Sequence, residues 1–245
     1  MKLLRNMVFA FFSVAMFLNI SSAGSSKDFA AACTAYNGGD FEAARQMFDG
    51  KTKASPSHGA FQNLGNTEWQ LGNTAQAIIA WERALLLKPF DANSENNLRF
   101  AREAAQLESP ELTWCEIAAA WLTSDAWAGI ACGSFWFAIA MMIFPAVLRW
   151  RKSAIQQAAV ALGLGLFLLS LPANYGVWTR TQIGFAMQNE TALKLTPTKE
   201  GEAITRLSAG EPGRVLRERG DHLLIRTRRM TGWIERGNFE FVALR

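Results

Sequence analysis

Only two histidines and three cysteines occur in 245 residues. Cys33, Cys115 and Cys132 share no metal-ligand spacing and form no CxxC pair, and no glycine-rich phosphate loop is present, so most metal and nucleotide chemistries lack their parts. An oxidising compartment would allow Cys33 to pair with Cys115, but the two fall in different elements. His58 falls in a loop between helices and His222 in a β-turn, where both read as surface residues, and neither has a nucleophile near it in sequence. The expectation is therefore a protein that is not an enzyme, with no catalytic residue, no metal and no cofactor. Charge is also scarce at 19% of residues, and the net charge of +4 is small, which makes nucleic acid a poor partner.

What is abundant is apolar sequence, half of the chain, and it comes in blocks. Lys2 and Arg5 precede the run Met7 to Ile20, and Ser21-Ser22-Ala23 supplies small residues for a peptidase, so residues 1–23 read as a secretory signal peptide. Ala126 to Leu148 and Ala154 to Val177 carry no charge. At 1.5 Å per residue the first reaches roughly 35 Å, enough to cross a bilayer with some tilt, so both read as transmembrane helices. Residues 149–153 between them, Arg149-Trp150-Arg151-Lys152-Ser153, hold three positive charges and belong in the cytoplasm by the positive-inside tendency. The signal peptide agrees independently, because it sends the chain after it across the membrane. Both outer ends of the hairpin then lie outside the cytoplasm. Trp114, Trp121, Trp127, Trp150 and Trp178 stand at boundaries, as interfacial anchors do. Residues 111–124 place Trp114, Ile117, Ala118, Trp121 and Leu122 on one helical stripe, which predicts a helix lying along the membrane surface. Gly163 and Gly165 are candidates for tight helix packing in the second span, and no ionisable residue inside either span marks an ion path.

Between the signal and the first span, residues 25–107 repeat with a period of about 34 residues. In the second copy Phe61, Leu64-Gly65, Gly72, Ala77, Trp81, Ala84 and Pro89 come in order. The first copy is weaker, with Gly39-Asp40-Phe41, Ala44, Phe48 and Pro56. The small residues let two antiparallel helices approach, the large ones fill the gap, and each proline ends a pair. The segment resembles tetratricopeptide repeats, two of them plus a closing helix from Asp91 to Leu107. Two repeats and a cap are marginal alone, since about three units are normally needed, so the membrane part is a candidate for extra support. The resemblance implies a concave protein-binding groove lined by Tyr36, Gln62, Asn66, Trp69, Asn96 and Asn97. Phe29 and Cys33 stand where versions that grip a terminal carboxylate carry polar side chains, which argues against such a clamp.

Residues 190–245 change character again. Ala192 to Leu195, Ala203 to Leu207, Arg214 to Arg219, Leu223 to Arg226, Gly232 to Ile234 and Phe239 to Leu244 are short β-prone runs separated by turns, which predicts a small all-β barrel. Leu207-Ser208-Ala209-Gly210, Gly220-Asp221 and Gly232-Trp233-Ile234 make it similar to bacterial SH3-like domains. Leu223 stands near where many members carry a tryptophan, which argues against an aromatic cleft for peptide or cell wall. Arg226, Arg228, Arg229, Arg214, Arg217 and Arg219 form basic runs interleaved with acids, which read mainly as a mixed solvated surface.

The full order of signal peptide, repeats, tryptophan-rich helix, two spans and SH3-like domain resembles the BatE-like tetratricopeptide proteins of the Bacteroides aerotolerance operon family. That implies a multi-domain protein of the bacterial inner membrane, two-pass, with both folded parts in the periplasm. Its expected role is a non-enzymatic adaptor or scaffold in an envelope-stress complex, with von Willebrand A-type membrane proteins and a MoxR-type ATPase as partners. A cell-envelope sensor that binds peptidoglycan through the SH3-like domain is the alternative.

Overall fold

The computed structural model describes residues 24–147, 153–198 and 200–243. The expected signal peptide and all but Ser153 of the basic loop lie outside the described residues. Among the described residues the chain forms eight α-helices followed by one antiparallel sheet.

Five helices come first: α1 (Gly24–Asn37), α2 (Phe41–Ala54), α3 (His58–Gln70), α4 (Thr74–Leu87) and α5 (Ala92–Ala104). They stack as two antiparallel hairpins and a final single helix. Gly39 and Gly72, at φ +81° and +80°, make the tight turns inside each hairpin, in the left-handed region that costs an L side chain about 1–2 kcal/mol. Asp40 caps α2 by accepting from the Ala43 N–H, and Asp91 caps α5 by accepting from the Ser94 N–H. Gly65 has a packing role: a Cβ there would lie 2.6 Å from Trp81 Nε1, so its absence lets the Trp81 indole lie on α3. Ala44, Phe48, Leu64 and Ala80 form the core of the first part of the stack, with Phe29 edge-on to Phe48.

A short helix, α6 (Trp114–Ala119), leads into α7 (Ser124–Val147) and α8 (Ala154–Arg180). The last two are long and apolar enough to cross a membrane. Gly163 packs on α7, where an added Cβ would meet Ala138 and Phe137, whereas Gly165 faces open space. The polar residues of α8 tie the pair together: Gln156 Nε2 donates to the Met141 carbonyl (2.9 Å) and Asn174 Nδ2 to that of Trp127 (3.3 Å). Helix α8 runs three residues past the expected end of the span. The expected surface helix over residues 111–124 is shorter than the stripe suggested, because Thr113 and Glu116 form a capping box that starts it at Trp114.

The sheet has seven strands in the order β3-β2-β6-β5-β4-β1-β7. They are β1 (Ile183–Ala186), β2 (Thr191–Lys194), β3 (Ala203–Leu207), β4 (Pro212–Arg219), β5 (His222–Arg226), β6 (Thr231–Glu235) and β7 (Phe239–Phe241). Six match the expected runs to within two or three residues. The first was not foreseen and moves the start of the sheet from residue 190 to Ile183, three residues after α8 ends. Leu193 and Leu207 from one end of the order share a core with Ala186 and Phe239 from the other, so the sheet curls around a single interior.

The helical stack and the sheet are not separate bodies. Ala77, Ile78, Ile79 and Trp81 of α4 and Leu98 and Ala101 of α5 form one buried cluster with Phe185 of β1 and Val242. Arg83 donates to the carbonyls of Phe241 (2.9 Å) and Val242 (3.3 Å) and pairs with Glu240 (2.8 Å). Gly210, at φ +86°, sits so close to α4 that a Cβ would lie 2.7 Å from Ile78 Cδ1. The sheet therefore supplies the neighbour that a short stack needs.

Candidate functional site

Two regions have the geometry of a site. The first is the face of the stack made by α1, α3 and α5. The six expected groove residues lie on these three helices, and two of them, Asn66 and Asn97, spend polar atoms inside the stack. Asn66 Oδ1 accepts from Trp81 Nε1 (3.0 Å) and from Asn97 Nδ2 (2.8 Å), and Asn96 Oδ1 accepts from Arg99 (3.0 Å). The Asn66 and Asn97 amides fix the register of α3 against α4 and α5. Tyr36 packs edge-on against Phe41, beside the first hairpin turn. Gln62 is half-buried on α3. Trp69 packs between Trp81, tilted against it, and Phe100, edge-on to it, with ring centroids 6.2 and 5.7 Å apart. Phe100 is 59% exposed and was missed from sequence, although it lies four residues after Asn96 and three after Asn97 on the same helix face. The face thus offers an aromatic platform, Trp69 and Phe100, bordered by amides.

The second region is the junction where the stack, the two long helices and the sheet meet. Helix α6 is inverted with respect to water: Trp114 (69%), Ile117 (52%) and Trp121 (64%) just past its end are exposed, while Cys115, Glu116 and Ala119 are buried. Gly176 of α8 makes this burial possible. A Cβ there would stand 2.0 Å from the Cys115 carbonyl oxygen, so only glycine lets the α6 backbone lie directly on α8. Glu116, fully buried, receives both terminal nitrogens of Arg214 from β4, at 2.6 and 2.8 Å. Arg214 also donates to the carbonyls of Glu111 (3.1 Å) and Thr179 (3.4 Å). One guanidinium thereby ties the linker, α6, α8 and the sheet together. Burial pushes the Glu116 carboxyl up, but Arg214, the Thr113 N–H and Thr179 outweigh it and hold its pKa at about 2, below its usual 4.5.

The basic runs of the sheet do not act together. Arg228 and Arg229 lie 3.5 to 3.7 Å from Glu108 and Glu111 of the linker, and Arg236 pairs with Glu218. Arg217 and Arg219 remain exposed. Neither histidine is the open surface residue expected. His58 Nε2 sits 3.1 Å from Asp91 Oδ2, and His222 is 8% exposed at the start of β5. Burial raises the Asp91 pKa. The Ser94 N–H, Lys88, His58 and the Ser94 hydroxyl together bring it well below the usual carboxylate range. All three cysteines are free. Among the described residues no group of three or more His, Cys, Asp or Glu side chains could hold a metal ion. No protein-family model matches the chain, and no curated protein matches it.

Proposed function

We propose that the protein is a non-enzymatic, membrane-anchored adaptor, with α1 to α5 as a tetratricopeptide-type groove and the curled sheet as an SH3-like domain. Its spans α7 and α8 form a U whose bend faces the cytoplasm, which puts both folded parts in the periplasm at the bacterial inner membrane. The observation that carries this reading is the buried cluster shared by α4, α5, Phe185 and Val242. Two parts with one core occupy one side of a membrane, so the chain between them must cross an even number of times. The inverted surface of α6 supports the same geometry, since exposed Trp114, Ile117 and Trp121 are stable against lipid headgroups and costly in water. Trp69 and Phe100 give the groove rigid aromatic anchors of the kind that dominate protein interfaces. The partners proposed are von Willebrand A-type membrane proteins working with a MoxR-type ATPase, as in the BatE-like family.

Single cysteines in a background lacking Cys33, Cys115 and Cys132 test the topology. An impermeant maleimide added to intact cells with a permeabilised outer membrane labels cysteine at Ser55 and at Ser208, and reaches Ser153 only after lysis. Labelling of Ser55 and Ser208 on opposite sides would overturn the U. Labelling of Ser153 alone from outside would invert it. A photocrosslinker at Gln62 in intact membranes tests the adaptor role by capturing a membrane protein of the von Willebrand A type. A peptidoglycan sensor is the second reading, favoured by Leu216, Arg217 and Arg219, which stand exposed together on β4. Pelleting of the detergent-solubilised full chain with purified wall, lost in Arg217→Glu/Arg219→Glu, separates it from the first.

A further inference from the structure

An apolar cavity of about 320 Å³ opens at the junction, between α4, the linker to α6, the end of α8 and the start of the sheet. Its size falls at the lower end of small-ligand sites, about 300–1,000 Å³. Leu85, Leu86, Leu122, Val177, Ile183 and Val242 form its walls. Three charged side chains reach its lining. Glu82 and Arg102 pair with each other, which leaves their edge neutral. Arg180, the last residue of α8, is half-buried and makes no ion pair among the described residues. Ser109, Ser124 and Thr181 add hydroxyls to the lining.

We propose that this cavity holds an acyl chain of one anionic glycerophospholipid, with the lipid phosphate on Arg180. The inference rests on the membrane reading above and adds a binding site to it. The depth is right, because Ser124 opens α7, Arg180 closes α8 and both line the cavity, which places it at the level where the two long helices leave the bilayer. Trp114, Trp121 and Trp178, all more than half exposed, mark the same level as the headgroup layer. The lining combines the chemistries of a lipid: leucine, isoleucine and valine for an acyl chain, and hydroxyls and an arginine for the polar end. A half-buried guanidinium without a counter-ion is costly, and a phosphate supplies a charge-assisted, two-pronged partner.

The test uses the full chain in phosphatidylcholine nanodiscs containing a phosphatidylglycerol probe with a photoreactive group in its acyl chain. Adduct sites are mapped by mass spectrometry. The expected result is adducts on the Leu85 to Leu87 and Val177 segments well above those on the lipid-facing Leu162 and Leu169. They should fall about tenfold in Arg180→Glu, the size of one lost charged hydrogen bond. They should also fall in Val177→Trp, which fills the space without touching the charge. Cavity labelling that persists at the wild-type level in both variants overturns the proposal, as does equal labelling by a photoreactive phosphatidylcholine. Adducts confined to the outer faces of α7 and α8 overturn the site while leaving the membrane reading intact. A protein that fails to enter the nanodiscs overturns both.

Discussion

Arg214 and Glu116 offer a direct measure of how strongly the sheet is bound to α6 and α8. The carboxylate is fully buried, and the guanidinium meets it through both terminal nitrogens. Arg214→Ala leaves that charge without its counter-ion, a loss that typically costs about 3–5 kcal/mol. Glu116→Gln keeps the shape and much of the hydrogen bonding and should cost less, about 1–3 kcal/mol. A double-mutant cycle on thermal or denaturant unfolding in detergent should give a coupling energy above about 1.5 kcal/mol. The acid response comes from the lowered carboxyl pKa. Its stabilisation is complete above the usual value of 4.5 and is lost as pH falls from there toward about 2. Wild-type stability should therefore drop across that window, while Glu116→Gln loses less. A coupling below about 0.5 kcal/mol, the level of exposed surface pairs, would refute the idea that this contact joins the parts.

Three glycines make independent predictions. Gly65→Leu forces a side chain into the Trp81 ring and should unfold the helix pair; wild-type protease resistance would refute the packing register. Gly176→Ala pushes α6 off α8, so in a Cys33→Ala/Cys132→Ala background the buried Cys115 should react faster with a thiol reagent. Unchanged protection would mean that α6 does not depend on that close approach. Gly210→Val combines a left-handed φ with a collision against Ile78, and should speed hydrogen exchange along α4 while leaving β5 and β6 protected. Equal protection of α4 in both proteins would show that this turn does not dock the sheet.

Much of the architecture could be read from local pattern. Phe61, Gly65 and Trp81 stand at spacings that imply a helix pair, and six strands announced themselves by β-prone runs between turns. Strand β1 did not, because Ile183–Ala186 is buried on both sides and lacks alternation. It also comes so soon after α8 that it reads as more of the same apolar block. The stripe of Trp114, Ile117 and Trp121 was legible, but the meaning of its opposite face was not. A glutamate three residues after Thr113 reads as an ordinary cap, and nothing local connects it with Arg214, 98 positions away. The groove amides show the same limit. Asn66 and Asn97 look like free polar surface until the fold brings them to 2.8 Å.

The shared core also bears on how the chain can be divided. If helices α1 to α5 were self-sufficient, residues 24–107 expressed alone would be as compact and cooperative as in the full protein. The outer side of α4 argues otherwise: Ile78 and Ile79 are at most 2% exposed in the whole chain, in a cluster that includes Phe185 and Val242. Removing the sheet returns part of that surface to water and leaves Arg83 without the carbonyls of Phe241 and Val242. Uncovering even one isoleucine is worth about 1.5–3 kcal/mol, a large share of the stability available to a stack of this size. The isolated segment should therefore unfold at lower denaturant, bind a hydrophobic dye or self-associate. The Ile78→Ser/Ile79→Ser form should reduce the association without restoring stability. A monomeric 24–107 fragment that melts with the cooperativity and midpoint of the intact chain would show that the sheet rests against the helices without supporting them.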